Sequence, residues 1–446
     1  MNFSTHLKRT TNLAIPIIIG QLGHMGMAVV DNLMIGQLGA VHLAASSLAN
    51  AIFIQFMILG LGLTFALSPL VAAANRHGNE QECSSLLHHS LFINMAAAFI
   101  LFGFIEIAVV ILPHLGQEEQ VVSYTIPYLQ IIAASMIPIM FFQTYRQFSD
   151  GLTYARPAMY IMLIANLVNV FLNWIFIFGN LGFPRLELNG AGIATFGTRT
   201  FAGFAMFIYV LKSKRFSQFN PRNFSLNFHK KLVKKILQIG IPTSMQSFLE
   251  VVAFTSVAFI IGWIGTYELA AHQIALTMAS VTFMFASGIS HASAIRVGAE
   301  YGKEQAGETW IAGKSAFLLS ASIMGVNGIL FIVFRYPLVG MFIDNPTVQE
   351  IAAGLLIIAA LFQVFDGVQA VGVGALRGIQ DVKIPTIIVF ISYWVLSIPI
   401  GYLLGIVLQF GVDGVWYGFV SGLGSAAIML ALRFRKKTKN EPLTIV

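Results

Sequence analysis

Apolar residues in this chain come in long unbroken runs, not in the alternation of a half-buried strand or the one-sided stripe of a soluble helix. The stretches Ala14 to Val30, Ala40 to Ala74, Ile161 to Gly179, Val251 to Tyr267 and Phe390 to Val412 contain no charged residue. Each approaches or exceeds the roughly 20 residues that cross a bilayer as a helix. Reading these runs against charged and Pro/Gly-rich punctuation predicts about twelve helices. Their expected extents are 12 to 35, 44 to 75, 87 to 113, 124 to 149, 156 to 179 and 188 to 212, then 236 to 262, 268 to 300, 312 to 340, 347 to 377, 383 to 408 and 412 to 434. The expected fold class is therefore an all-α polytopic membrane protein.

Composition supports this reading. Of 446 residues 57% are hydrophobic and only 10% charged, with a mean hydropathy of +0.78. A soluble domain of this length needs more charge around its rim. The N-terminus lacks the short apolar core and small-residue cleavage site of a secretory signal peptide, so the first apolar run is expected to be retained as a helix. The lone cysteine, Cys83, rules out an intramolecular disulfide and a cysteine metal cluster.

The net charge of +7 could suggest a nucleic-acid partner, but its distribution argues for orientation in a membrane. Placing both termini in the cytoplasm puts all of the 26 Lys and Arg inside except Arg185, Arg199 and Arg335. That is the bias of the positive-inside rule. The reading excludes nucleic acid and predicts a multi-pass protein of the plasma membrane, the inner membrane of a bacterium, with membrane lipid as a partner and some attraction to anionic headgroups. It is expected to act as a monomer. The segment KSKRFSQFNPRNFSLNFHKKLVKK is the longest polar stretch and reads as a cytoplasmic connector. The expected organisation is a six-helix lobe over 1 to 215, a connector over 216 to 235 and a second six-helix lobe over 236 to 446.

The two lobes repeat. IPIIIGQLGHMGMAVVDNLMIGQLGAVHLAA, from Ile15, aligns without a gap to IPTSMQSFLEVVAFTSVAFIIGWIGTYELAA, from Ile241, at an offset of 226. Pro16 meets Pro242, Gly36 meets Gly262, Gly39 meets Gly265, and further on GNEQ at 78 meets GKEQ at 302 and Pro157 meets Pro385. Six helices per half make both halves enter from the same side, a parallel repeat. Internal repeats of this kind are common in secondary transporters, with the substrate at the repeat interface.

Three acids lie well inside predicted spans: Asp31, Glu250 and Asp366. A charged side chain at that depth costs about 2.5 to 3.5 kcal/mol even on lenient scales, so those that persist usually face a cavity or a partner. Each shares a helix face with other polar groups. Thr243, Gln246 and Glu250 fall at helical spacing, as do Gln363, Asp366 and Gln369, and Gln21, His24 and Asp31. The fifth helix adds Asn166, Asn169 and Asn173, and the sixth Thr195 and Thr198. Amides and hydroxyls also serve as interhelical glue. The acids differ in having no basic partner in the same half, Arg199 excepted, which can pair with Asp31 or with a neighbouring backbone. Glu106 sits nearer the outer end of its span and reads as interfacial. In the repeat alignment Glu250 meets His24, Asp31 meets Val257 and Asp366 meets about Ile139, so no acid has an acidic counterpart. This asymmetry favours ion chemistry specialised by lobe.

Two chemistries fit. A carboxyl group kept from water and near a like charge keeps its proton more readily and can carry it. An ionised carboxylate joined by amide and hydroxyl oxygens can instead hold a hard cation such as Na+. An interior with acids and few bases favours cationic substrates, and Phe and Met offer adaptable surfaces for bulky organic cations. Candidate cavity residues are Gln246, Phe254, Gln273, Phe362, Gln363 and Phe365.

The segments VDNLMIGQLGAVHLAA, FIIGWIGTYELAAHQIAL, ISHASAIRVGAEYG and ALRGIQDVKIP resemble the multidrug and toxic compound extrusion (MATE) family over nearly the whole chain. The acid set resembles its NorM branch, since the DinF branch generally lacks acids in the second lobe. The resemblance implies a V-shaped two-lobe transporter that exchanges Na+ or H+ for organic cations by alternating access, with no cofactor. It implies that Glu250 and Asp366 form the cation site of the C-terminal lobe, as possible Na+ ligands, and that Asp31, Asn169, Asn173 and Thr195 form the polar site of the N-terminal lobe. The chain departs from the family at Phe362, where relatives often carry a tyrosine. That predicts a missing hydroxyl near Asp366.

The rival within transport is a flippase of lipid-linked or oligosaccharide substrates, which should need a cationic cavity for phosphate. No HExxH, GxSxG or Walker A sequence occurs, which argues against an intramembrane enzyme and an ATP-driven pump. A passive channel would not explain a repeat with asymmetric acids.

Overall fold

A computed structural model describes residues 2–114, 116–219, 229–303 and 305–439. Residues 220–228 of the expected connector lie outside the described residues. The described residues form twelve helices long and apolar enough to cross a membrane. In the first half these are α1 (Phe3–Gly36), α2 (Ala40–Arg76), α3 (Glu80–His114), α4 (Glu119–Gly151), α5 (Arg156–Phe178) and α6 (Glu187–Lys212). In the second they are α7 (Lys230–Gly262), α8 (Thr266–Tyr301), α9 (Ala306–Gly340), α10 (Pro346–Gly378), α11 (Lys383–Val407) and α12 (Gly411–Lys439).

The main departure from the hydropathy pattern is the start of α1. It begins at Phe3, not near residue 12, because FSTHLKRTT is amphipathic and its inward face is polar. His6 and Thr10, one turn apart, are both fully buried. His6 Nε2 lies 2.7 Å from Glu308 Oε2, and Arg296 Nη2 lies 3.2 Å from His6 Nδ1. An apolarity scan misses a helical turn whose burial is secured by hydrogen bonds to distant side chains.

The helices gather into two compact units. The N-terminal unit is Ile19–Ser244, and the C-terminal unit is Met1–Ile18 together with Met245–Val446. Both boundaries fall inside helices, so α1 and α7 each run from one unit into the other. In the N-terminal unit Phe53, Leu129, Ile132, Met136 and Met140 build the core. In the C-terminal unit Leu355, Leu356 and Phe362 of α10 pack with Trp416, Phe419, Leu423 and Phe434 of α12. Lipid is as apolar as these side chains, so close packing and interhelical hydrogen bonds hold such bundles. On the outside, Phe99, Phe104 and Val110 of α3 and Val326, Ile329 and Val333 of α9 are exposed, as a lipid-facing surface requires.

The repeat is visible in the backbone. Past the end of α4, Thr153 takes a left-handed φ of 68° and the Tyr154 N–H reaches Ser149 O at 2.9 Å. Past α10, Gln380 has φ 63° and the Asp381 N–H reaches Leu376 O at 2.9 Å. These bonds satisfy orphan carbonyls at matching helix ends. Gly190 of α6 lies on the Phe176 backbone of α5, and Gly414 of α12 lies on the Leu404 backbone of α11. A side chain at either glycine would collide with a carbonyl, so these positions let paired helices approach closely.

Symmetry fails at α11. Its counterpart α5 is regular α-helix, whereas α11 is π-helical over Ile391–Ser397 and again over Leu403–Val407. Pro399, which has no N–H and crowds the carbonyl a turn earlier, sits between the two segments. Such widened turns re-aim side chains and are frequent at functional sites.

Candidate functional site

Each unit contains one polar cluster built around a carboxylate. In the N-terminal unit, α1 supplies Asp31, α5 supplies Asn169 and Asn173 at i and i+4, and α6 supplies Thr195. The glycine contact between α5 and α6 brings their polar faces together. Asn173 Nδ2 donates to Asp31 Oδ1 at 2.6 Å and to Asn169 Oδ1 at 3.2 Å. Thr195 Oγ1 donates to Asp31 Oδ2 at 3.2 Å. The two asparagines are fully buried and Thr195 nearly so, while Asp31 is half-buried. The structure thus brings all four predicted residues together. Asn166 and Thr198, on the same stripes, instead bond to their own helices, at Met162 O and Ala194 O.

Arg199 forms no ion pair with Asp31, though the two are within electrostatic reach. It donates to the Ser135 hydroxyl, at the break within α4, and its guanidinium lies 4.9 Å from the Phe53 ring centroid. Its partners are thus a side-chain hydroxyl and an aromatic ring, not the Asp31 carboxylate or a neighbouring backbone that the sequence left open. Glu106, expected at an outer helix end, accepts from Gln130 Nε2 at 3.0 Å among exposed groups.

In the C-terminal unit, α7 supplies Glu250, α10 supplies Gln369 and α11 supplies Tyr393. Gln369 Nε2 is 3.3 Å from Glu250 Oε1. The Tyr393 hydroxyl is 3.1 Å from that same Oε1 and 3.0 Å from Gln369 Oε1. Tyr393 is fully buried, Gln369 nearly so and Glu250 half-buried. The next residue of α11 pins the pair of helices, since Trp394 Nε1 donates to Leu249 O at 3.1 Å.

Asp366 lies nearly one turn before Gln369 on α10, is 6% exposed and is within electrostatic reach of Glu250. Among the described residues no Lys, Arg or His forms an ion pair with Asp31, Glu250 or Asp366; the pairs present lie elsewhere. Among the described residues no three His, Cys, Asp or Glu side chains converge as for a transition metal. A cation held here would rely on amide and hydroxyl oxygens beside the carboxylates.

The expected cavity residues divide. Gln363 is buried, and its Nε2 donates to Thr282 Oγ1 of α8 at 2.7 Å while its Oε1 has no partner. Phe254 is half-buried, stacked on Phe419 at 4.7 Å and tilted against Tyr393 at 5.7 Å. Phe365 is half-buried against the core. Phe362 is 2% exposed and lies 5.5 Å from Trp416, in apolar packing. Gln246 is buried and Gln273 exposed, and among the described residues neither bonds to the Glu250 cluster through its side chain.

Tyr393 escaped the sequence reading. It sits in a charge-free run, and a helical wheel gives no reason to turn it toward Glu250. The available signal was Pro399, six residues on, which marks a disturbed helix. The hydroxyl expected to be missing at Phe362 is thus present nearby, supplied by a different helix.

Comparison with known proteins follows the repeat. The MatE family model matches twice, over residues 16–175 and 242–403, and its two copies begin at the aligned Pro16 and Pro242. The chain is 32% identical over 438 residues to the multidrug resistance protein NorM of Photobacterium profundum, covering 97% of this chain and 96% of that protein. It is 33% identical over 448 residues to the probable multidrug resistance protein NorM of Agrobacterium fabrum, covering 99% and 96%. Its fold superposes with a TM-score of 0.88 and 22% identity on an outward-facing multidrug resistance MATE family transporter of the MOP superfamily, over 97% of this chain and 96% of that one. These relatives are transporters and not enzymes. With both repeats matched by the family model and full-length similarity to NorM proteins, this chain belongs to the multidrug and toxic compound extrusion (MATE) family, in its NorM-like branch.

Proposed function

We propose that this protein is a multidrug efflux antiporter that exports organic cations in exchange for H+ or Na+ by alternating access. One observation carries the reading: Glu250 meets an amide and a hydroxyl with buried Asp366 within electrostatic reach, and among the described residues no basic side chain is ion-paired to either acid. Such a site has negative charge to offer a cation and none committed to a structural partner. An entering H+ or Na+ neutralises that charge and lowers the affinity for a cationic drug. Release of the ion restores it. Coupling requires that ion and drug each prefer a different state, not merely that both bind.

In this reading the six-helix halves, 1 to 215 and 236 to 446, are the bodies that move. The asymmetry of basic loops supports placing both termini in the cytoplasm and the protein in the plasma membrane. No cofactor enters the scheme.

The test is ethidium transport by proteoliposomes with Na+ and pH gradients imposed separately. The antiport reading expects uphill movement with at least one gradient, lost in Glu250→Gln and Asp366→Asn. Unchanged gradient-driven efflux in both variants would sink it, and downhill movement alone would indicate a channel.

A further inference from the structure

Helix α9 is longer than the membrane it crosses, and its charges mark where the hydrocarbon ends. The 20 residues from Ser315 to Phe334 carry no charge and are bracketed by Lys314 and Arg335. At a rise of about 1.5 Å per residue they cover about 30 Å, the thickness of the hydrocarbon core. Lys314 therefore stands at headgroup level. It also stands on the lipid side, because Lys314, Leu318 and Ile329 fall at i, i+4 and i+15 on one helix face and all three are exposed. Helix α12 repeats the arrangement. Its exposed Ile428 and Leu432 run on, along the same face, to exposed Arg435 and Lys439.

The two stripes meet at an aromatic seam. Phe434 of α12 stacks on Trp310 of α9 with ring centroids 5.9 Å apart, and Lys439 Nζ lies 5.2 Å from the Trp310 centroid. One turn along α9 from Trp310, Lys314 Nζ lies 5.9 Å from the Phe3 ring of α1. Half-buried Trp310 thus has one exposed ammonium group over its ring and another one turn away on its own helix. Acids at this end of the C-terminal unit face other bases: Glu308 is 2.7 Å from His6, Glu300 is 3.3 Å from Arg296 and Asp381 is 2.6 Å from Arg433. Among the described residues Lys314, Arg435 and Lys439 form no ion pair. The first half has no such seam. Its α6 also ends in a basic run, Lys212 to Arg215, but α3, the counterpart of α9, begins EQECSSLLHHS, with no Lys, Arg, Trp, Tyr or Phe. Orientation in the membrane requires basic residues at this end of the bundle, not an indole and a lysine added on α9.

We propose that the seam of α9 and α12 is a binding site for an anionic phospholipid. Its phosphate meets Lys314, Arg435 and Lys439 beside Trp310, and its acyl chains lie along Leu318 and Ile329 of α9 and Ile428 and Leu432 of α12. Charge complementarity selects the headgroup. A zwitterionic lipid carries its own ammonium group beside the phosphate, whereas an anionic one leaves the phosphate charge to the protein. A free phosphate matches the cations but not the apolar stripes below them. Tryptophan is suited to this depth, with an apolar body and a polar N–H. The site does not depend on which ion the membrane-embedded acids exchange.

The experiment uses the full-length protein, solubilised and stripped of lipid, and titrates it separately with phosphatidylglycerol and phosphatidylcholine. Adducts are counted by native mass spectrometry, and Tm is followed in parallel. Phosphatidylglycerol is expected to bind in preference and to raise Tm. Lys314→Gln combined with Lys439→Gln should weaken its first adduct about thirtyfold, from about fivefold for each basic group lost. Lys230→Gln combined with Lys231→Gln removes the same charge from the exposed start of α7 and should leave that adduct unchanged. If the first double variant does not fold, Lys439→Gln alone, at the exposed helix end, should weaken the adduct about fivefold.

Equal binding of the two lipids by the unmodified protein overturns the proposal. Equal weakening in the α7 variant also overturns it, by reducing the preference to overall charge. Inorganic phosphate that raises Tm as much as phosphatidylglycerol does would make the seam an anion site and overturn the lipid assignment.

Discussion

Asp31 in the N-terminal unit and Glu250 in the C-terminal unit are both held by amides and a hydroxyl, yet the contacts are distributed differently over their two oxygens. Around Asp31 the donors are divided: Asn173 takes Oδ1, Thr195 takes Oδ2, and the second amide hydrogen of Asn173 goes to Asn169. Both oxygens of Asp31 thus accept a hydrogen bond. Around Glu250 the Gln369 amide and the Tyr393 hydroxyl both approach Oε1 and also approach each other. Similar residue chemistry therefore gives two differently arranged carboxylate sites. Asymmetry in a repeated fold can arise from a single widened helix.

The comparison can be broken most forcefully at the acids. Glu250→Gln and Asp366→Asn should reduce gradient-driven ethidium efflux to the level of protein-free vesicles, since a permanently neutral group cannot alternate. Asp31→Asn should also impair transport, but with a different signature. An amide there presents hydrogens to the donors that now bond Asp31, so thermal unfolding should reveal a loss of about 1 to 3 kcal/mol. Glu250→Gln should leave stability closer to normal, because both of its contacts fall on Oε1, a position the glutamine oxygen can take. Equal stability losses in the two variants would remove the distinction between the sites.

A smaller effect tests whether the hydroxyl must come from α11. Phe362→Tyr places an O–H in apolar packing beside Trp416 and should cost about 1 to 3 kcal/mol in unfolding free energy. Combined with Tyr393→Phe it should not restore gradient-driven transport, since the Glu250 contact comes from α11. Recovery of transport in the double variant would show that a hydroxyl from either helix serves. The smallest effect is expected at Arg199. Ser135→Ala removes its hydrogen-bond partner and should lower stability by about 0.5 to 1.5 kcal/mol while leaving the response to H+ and Na+ unchanged. A change in ion response would mean that Arg199 acts on Asp31 across the intervening space.

Much of this was legible in the chain because the membrane imposes a crude and strong rule. Backbone groups in lipid must bond within their own helix, so span positions follow from apolar length alone, and the twelve helices lie close to their expected bounds. The acids were legible because charge in such a run is rare enough to stand out. The Asp31 cluster could be assembled from periodicity and family resemblance together, since α1, α5 and α6 are regular where they contribute to it. Tyr393 was not legible. Helical spacing assumes 3.6 residues per turn, and that assumption fails over Ile391–Ser397, where the direction of a side chain depends on how the widened turn packs. The start of α1 was hidden for a related reason, since buried His6 bonds to Glu308 and Arg296, which lie far away in sequence.

By itself the sequence determined the number of spans, their orientation signal, the repeat and the identity of the acids. These depend on transfer of single residues from water to lipid, a local quantity that can be read position by position. Tertiary structure decided which polar neighbours each acid meets, and so how many hydrogens each shell can supply. That is a property of three helices at once: Gln369 from α10 and Tyr393 from α11 converge on one oxygen of Glu250, and no single stretch of chain contains that fact.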